Sequence, residues 1–212
     1  QPTEVPLKKY PEIVFDASKL DGNDTTNTYV QAGYTVTASN AQDGVTTRAF
    51  KAFGGIHDNF NFRWRTDTGL YVDNMSSSSP SALIGSTRLA TNTSIGEYLI
   101  IDIPKKIKLK NIIVNGPHRH MPYEVDIYGR NEGVSTWTHV KNYIYAVETG
   151  MTTGVWNTTN QIINATEYYS EYAFVVVKTN GHTAASIGEL ELYGYEESPP
   201  AGDLSLDTTL KS

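Results

Sequence analysis

Histidine and arginine are sparse in this chain and gather in a few polar stretches. Asn115-Gly116-Pro117-His118-Arg119-His120-Met121-Pro122 lies between two strand-like segments and is dense in hydrogen-bond donors. Residues 56–65 carry His57, Asp58, Phe60, Phe62, Arg63, Trp64 and Arg65, basic and aromatic together. Thr179-Asn180-Gly181-His182-Thr183 precedes the last strand-like run, and the three stretches hold four of the five histidines. Imidazole and guanidinium beside aromatic rings are a chemistry of recognition, with planar donors for polar groups and rings for an apolar face.

Signatures of catalysis are missing. There is no Gly-x-Ser-x-Gly and no P-loop. His118-x-His120 offers two nitrogens for zinc, but neither HExxH nor a cysteine completes a transition-metal site. Carboxylate pairs leave no local signature, and Glu97, Glu189 and Glu191 sit in strand-like phrases. Lys105, Lys106, Lys108 and Lys110 read as a solvated edge that discourages strand-to-strand aggregation; the alternative is a phosphate or anionic-surface site.

Composition narrows the class further. Of 212 residues 39% are hydrophobic and 19% charged, and tyrosine occurs 14 times; with abundant Thr and Ser this favours strands and polar loops over helices. A net charge of −6 argues against nucleic acid, whose readers need a basic stripe. With no cysteine, disulfides and thiolate chemistry are excluded. No run of about 18 apolar residues is present, so no membrane span is expected. Gln1 reads as a processed end or a fragment boundary. Asn23, Asn74, Asn92, Asn157 and Asn164 each begin an Asn-x-Ser/Thr sequon, a mild excess that leans toward a secreted, cell-surface or virion-surface glycoprotein.

The elements that must position the donors are strands. Residues 1–27, with Pro2, Pro6 and Pro11, read as an extended N-terminal arm, with an edge strand near 10–15. Residues 28–40 alternate as one strand region bent at Gly33. Ala49, Phe50 and Phe53 predict one or two helical turns ended by Gly54-Gly55. Residues 56–95 are irregular, with a Ser-rich middle. Residues 96–104 read as a strand stopped by Pro104, 105–110 as a polar turn, and 111–114 as a short strand. Further strands are expected at 123–130, 136–147, 161–166, 172–179 and 189–195. About eight strands with no substantial helix make an all-β sandwich or jelly roll. The body spans 28–197. Residues 198–212, with Pro199-Pro200-Ala201-Gly202, have linker composition and read as a linker or the start of a following domain.

Several phrases in this order resemble the discoidin family, also called coagulation-factor (F5/8 type) C or galactose-binding-like domains. They are Ala49–Phe53 with Trp64; Gly96-Glu97-Tyr98-Leu99-Ile100-Ile101-Asp102-Ile103-Pro104; Lys106–Leu109; Pro122-Tyr123-Glu124-Val125-Asp126-Ile127-Tyr128-Gly129-Arg130-Asn131-Glu132-Gly133 leading to Trp137; and Ile187-Gly188-Glu189-Leu190-Glu191-Leu192-Tyr193-Gly194. The resemblance covers about residues 28–197. It is nearest to domains of microbial, algal or large-virus surface proteins, and it implies an eight-stranded antiparallel jelly-roll β-sandwich whose loops at one end meet carbohydrates or lipid headgroups.

Carried onto this sequence, the family's loop positions imply a ligand floor of His118, Arg119 and His120, with Arg63, Arg65 and His182 alongside. Many members also hold a structural calcium near the helical turn. Here Glu189 matches the closing carboxylate and the Lys51 carbonyl another ligand. The family's Asp after Ala-Phe is Gly54, for which Asp58, Asn59 or Asp67 would have to substitute. No other cofactor is expected. The resulting expectation is a non-catalytic carbohydrate-binding or adhesion module of an extracellular glycoprotein, with glycans or glycoproteins as partners. The alternative is a structural interaction module in a larger assembly, such as a capsid decoration, fibre or cell-surface sheath, with neighbouring subunits as partners.

Overall fold

The computed structural model describes residues 6–42, 47–74, 79–145 and 155–198. The first five residues of the expected arm, most of the Ser-rich run and all but Ser198 of the expected linker lie outside these.

Thirteen strands and one 3-10 turn make up the regular structure of the described residues. The strands are β1 (Lys8–Tyr10), β2 (Asp21–Asn23), β3 (Thr28–Gln31), β4 (Tyr34–Ala38), β5 (Trp64–Arg65), β6 (Ser81–Ala82), β7 (Glu97–Pro117), β8 (Pro122–Arg130), β9 (Thr138–Ile144), β10 (Trp156–Ile162), β11 (Tyr169–Thr179), β12 (Ser186–Ile187) and β13 (Glu189–Glu196). The fold is the all-β, antiparallel galactose-binding-like sandwich. Seven strands have five residues or more, and the longest, β7, serves both layers. Eight strand segments therefore build the body, as the strand count from sequence requires.

β7 is the organising element. Its first part pairs with β4 and β11, in the order β2-β3-β4-β7-β11-β8-β9, and its second part pairs with β13 and β10, with β1 added outside β13. The first ladder is regular to Asp102, which faces Thr35 and Glu171, and after a register shift meets Tyr169 at Ile107, where the second begins opposite Glu196. Pro104 lies in the gap between them, where a missing N–H removes no ladder bond. The expected stop at Pro104 and the polar turn after it are thus corrected: residues 97–117 form one strand that crosses between layers.

Alternation along β7 builds the core. Leu99, Ile101, Ile103, Ile107, Leu109, Ile112 and Val114 are all buried and pack with Val125, Ile127, Phe174, Val176, Leu190 and Leu192 in one cluster. Each such side chain contributes about 1.5–3 kcal/mol on burial. A smaller cluster of Tyr128, Trp137, Ala173 and Val175 is packed by Leu89, Ala90, Tyr98 and Ile100. Arg130 lies over the Trp137 ring at 4.2 Å and bonds Glu171 through Nε at 2.6 Å and Nη2 at 2.5 Å.

Three local readings change. Residues 28–38 are a hairpin rather than one bent strand: Gln31 pairs Tyr34, and Ala32 (φ 51°) and Gly33 (φ 83°) form the two-residue loop. Two central residues at positive φ match the twist of a tight hairpin. The N-terminal strand is 8–10, ahead of Pro11, and Tyr10 and Phe15 enter the main core. The strand expected at 161–166 begins at Trp156, because alternation in Trp156–Ile162 is between polar residues and gives little hydrophobic signal. The helical reading holds as a 3-10 turn over Ala49–Phe53, with Gly55 at φ 66° just past it.

Candidate functional site

The site forms at one end of the sandwich, where three connections meet. β5 pairs with β12, setting Arg65 opposite Ser186 and Trp64 opposite Ile187. Trp64 is fully buried and donates through Nε1 to Asn40 O at 2.9 Å, so it anchors the segment that carries Arg63 and Arg65. The connection from β7 to β8 is joined to the one after β11 by backbone bonds: Asn180 N to Met121 O (3.0 Å), His182 N to Arg119 O (3.3 Å) and Ser186 N to His120 O (2.8 Å). His118 N donates to Val155 O at 2.8 Å, which brings the start of β10 alongside.

These bonds gather most of the expected ligand residues. The rings of His120 and His182 lie 3.5 Å apart, centroid to centroid, tilted by 38°. Ala184 N donates to His182 Nδ1 at 3.1 Å, so that nitrogen is unprotonated. Burial first, and then the charges around them, push both imidazoles down: His120 to about 2, with His182, Arg63 and Arg65 adding to the effect, and His182 to about 4, with Arg65, Arg63 and Arg119 lowering it and Asp73 opposing. Both rings are neutral at ordinary pH and act as donors or acceptors rather than cations. Arg63 is buried and lies 4.8 Å beneath the Phe60 ring. Burial, then the Arg65 charge, lowers its guanidinium to about 10. Arg65 Nη1 donates to Gln42 Oε1, and Nη2 donates to Thr68 Oγ1 at 3.0 Å.

His118, like Arg63, is buried. Asn180 Nδ2 lies 3.0 Å from His118 O and 3.1 Å from His118 Nε2, so this imidazole joins the two connections from within. Arg119 and His120 are half-buried.

The aromatic component was not assigned from sequence. Phe60 is 41% exposed and meets Trp156 edge to face, with centroids 5.1 Å apart. Trp156 stands opposite Pro117 at the head of β10 and packs against Gly188, where an added Cβ would lie 2.4 Å from its ring. Only the pairing of β10 with β7 carries Trp156 to the loops. Its spacing in sequence gives no such signal.

The side chains of the residues expected around calcium have protein partners. Glu189 is buried, and its Oε2 accepts from Gly55 N at 2.8 Å. Burial pushes its carboxyl up to about 8, against the lowering effect of the Gly55 bond. Lys51 donates through Nζ to Asn61 O at 3.2 Å and lies 4.6 Å over the Phe62 ring. Asp58 accepts from Asn115 Nδ2 at 3.1 Å, and Asp67 accepts from Asn40 Nδ2 at 3.0 Å. Glu191 is held by Lys9 and Tyr193. Among the described residues no three His, Cys, Asp or Glu side chains converge as metal ligands. A calcium ion at Glu189 fits only with carbonyl oxygens and water as the remaining ligands.

Of the sequon asparagines, Asn23, Asn92 and Asn164 are exposed and Asn74 and Asn157 half-buried. The amide nitrogens of Asn92 and Asn74 donate to Trp137 O and Pro80 O.

Two other places gather polar side chains. A groove of about 560 Å³ is lined by Asp102, Lys105, Lys106, Glu132 and Glu171 among others, and it has no aromatic wall. Ser94, Asp126 and His139 meet, but Asp126 stands in the middle: it accepts from Ser94 Oγ and lies 3.2 Å from His139 Nε2. No hydrogen bond joins His139 to Ser94, and a hydrolase nucleophile needs that bond.

A stiff antiparallel sandwich with a cluster of donors and rings on the connections at one end defines the discoidin-like class of fold. Solved structures share the sandwich fold. The family 32 carbohydrate-binding module of Clostridium perfringens NanJ, solved with galactose, matches at 16% identity, covering 76% of this chain and 94% of that one, with a TM-score of 0.50. An F5/8 type C domain from Bacteroides fragilis matches at 13% identity, covering 80% and 97%, with a TM-score of 0.50. A family 32 module from a family 31 glycoside hydrolase of C. perfringens matches at 17%, covering 74% and 87%, also at 0.50. At such identities the likeness is one of fold. No family model and no curated protein matches the sequence.

Proposed function

We propose that this chain is a non-catalytic carbohydrate-binding module. The observation that carries the reading is the meeting of Arg63, Arg65, Arg119, His120 and His182 with the Phe60–Trp156 pair at one end of the sandwich. Aromatic rings cover the apolar C–H face of a sugar, while neutral imidazoles and guanidinium edges bond its hydroxyls. Fold neighbours with glycan-binding names support it, as does the lack of a nucleophile–base bond at Ser94. A secreted or surface setting agrees with the exposed sequons; no helix among the described residues is long and apolar enough to cross a membrane. A structural calcium at Glu189 belongs to the same proposal, and a chelator that leaves the melting temperature unchanged would remove it. Isothermal titration against a panel of oligosaccharides tests the main reading. Millimolar or tighter binding that is lost in Trp156→Ala supports it, and no binding at millimolar glycan overturns it.

A further inference from the structure

The charge at this end of the molecule does not suit a neutral sugar alone. The chain carries a net charge of −6, yet Arg63, Arg65 and Arg119 meet here. The Arg65 charge acts on Arg63, and all three guanidinium groups act on His182. Arg65 has Asp67 within range of its charge, and His182 has Asp73. Among the described residues no carboxylate acts on Arg63. Arg63 is 7% exposed, and both Nε and Nη1 are buried without a hydrogen-bond partner among the described residues. What covers it is the face of Phe60, a ring that is itself 41% exposed.

Burying a guanidinium without a counter-charge is costly, and proteins pair or hydrogen-bond such groups. The planar fork of arginine matches a two-oxygen anion, and a field from several cations in a low-dielectric recess attracts one. We infer that the ligand is an anionic saccharide, one bearing a carboxylate or a sulfate, and that this group is drawn to Arg63 with Arg65 and Arg119 around it, while Phe60 and Trp156 meet the sugar ring. The inference rests on the carbohydrate-binding reading and specifies its ligand class. The two neutral imidazoles add hydrogen bonds without adding charge, so the guanidinium groups alone meet the anionic group's charge.

The test uses the whole chain and three sets of oligosaccharide probes: uronic acid-containing, sulfated, and neutral galactosides of equal length, titrated at low and at physiological salt. Charge-assisted bonds to a guanidinium predict at least about tenfold tighter binding of one anionic set than of the neutral set at low salt. That preference should shrink as salt rises. Arg63→Met should bring the ratio near one. It should also raise the melting temperature, because it removes an unpaired buried charge while keeping the volume; an arginine present only for structure would lower it. Phe60→Ala, at an exposed position, provides a variant that folds whatever Arg63→Met does, and it should weaken both sets. Neutral galactosides binding as tightly as the anionic sets would overturn this inference and leave the carbohydrate-binding reading standing. Failure of all three sets to bind would overturn both.

Discussion

The imidazole rings of His120 and His182 lie 3.5 Å apart although 61 residues of chain separate them. Ser186 N donating to His120 O and His182 N donating to Arg119 O hold the two connections in this register. Neither ring can accept a proton without facing the other and the nearby guanidinium groups. The pair therefore stays neutral and turns what looks like a cationic motif in sequence into a hydrogen-bonding surface.

Acid should destabilise the protein through this pair. In the unfolded chain both histidines titrate near 6.5, while in the folded protein they are lowered to about 2 and about 4. The stability is fully present above 6.5 and is lost as pH falls through the lower values, because only the unfolded chain takes up the protons. Thermal unfolding between pH 7 and 4 should show a falling melting temperature. His182→Phe, which keeps a ring against His120, should make that fall shallower.

Glu189 has the opposite sign. Its folded carboxyl is raised to about 8 from an ordinary 4.5. Stability is full below 4.5 and declines as pH rises toward 8, since the unfolded chain releases its proton first. Glu189→Gln keeps an oxygen for Gly55 N and cannot ionise. Its melting temperature should match that of the native chain at pH 4 and exceed it at pH 8.5. Calcium bound through this carboxylate would raise the native chain's melting temperature at pH 8.5 and leave the variant unchanged.

Phe60→Ala should cost little stability and much affinity. The ring is 41% exposed, and its ring contact is Trp156. Exposed substitutions of this kind stay within about 0.5 kcal/mol in chemical denaturation. The affinity for a bound saccharide should drop by about tenfold, corresponding to about 1.4 kcal/mol for one aromatic contact. Titration calorimetry reads the loss.

The β3–β4 hairpin can be improved. Ala32 is exposed and sits at φ 51°, where a Cβ is unfavourable. Ala32→Asn followed by the native Gly33 supplies the residue pair such hairpins prefer. The variant should gain about 0.5–1 kcal/mol in urea denaturation, with no change in slope. A loss of stability would mean that the alanine makes contacts that outweigh its strained φ.

Much of the body was legible from residues because it depends on alternation. Leu99, Ile101 and Ile103 alternate, as do Val125 and Ile127, and a period of two places them on one sheet face whatever surrounds them. Where the signal was weak, so was the reading. β10 alternates between polar residues, and its hydrophobic signal starts only near Gln161, five residues after Trp156. Pro104 read as a stop because sequence does not show that β7 changes partners there. Ala32-Gly33 read as a bend because nothing local says that the chain reverses.

By itself the sequence determined an all-β sandwich, the inward faces of its alternating strands, and three donor-rich connections, since period-two patterning and turn residues act over a few positions. Only the tertiary structure decided what those connections do. Backbone bonds between distant connections stack His120 on His182 and turn His118 inward to Asn180. The register of β10 on β7 brings Trp156 to Phe60. Burial beneath Phe60 leaves Arg63 with no counter-charge among the described residues, and Glu189 accepts from Gly55 N. Solvation and charge at these positions depend on atoms brought together from far along the chain, which no local pattern records.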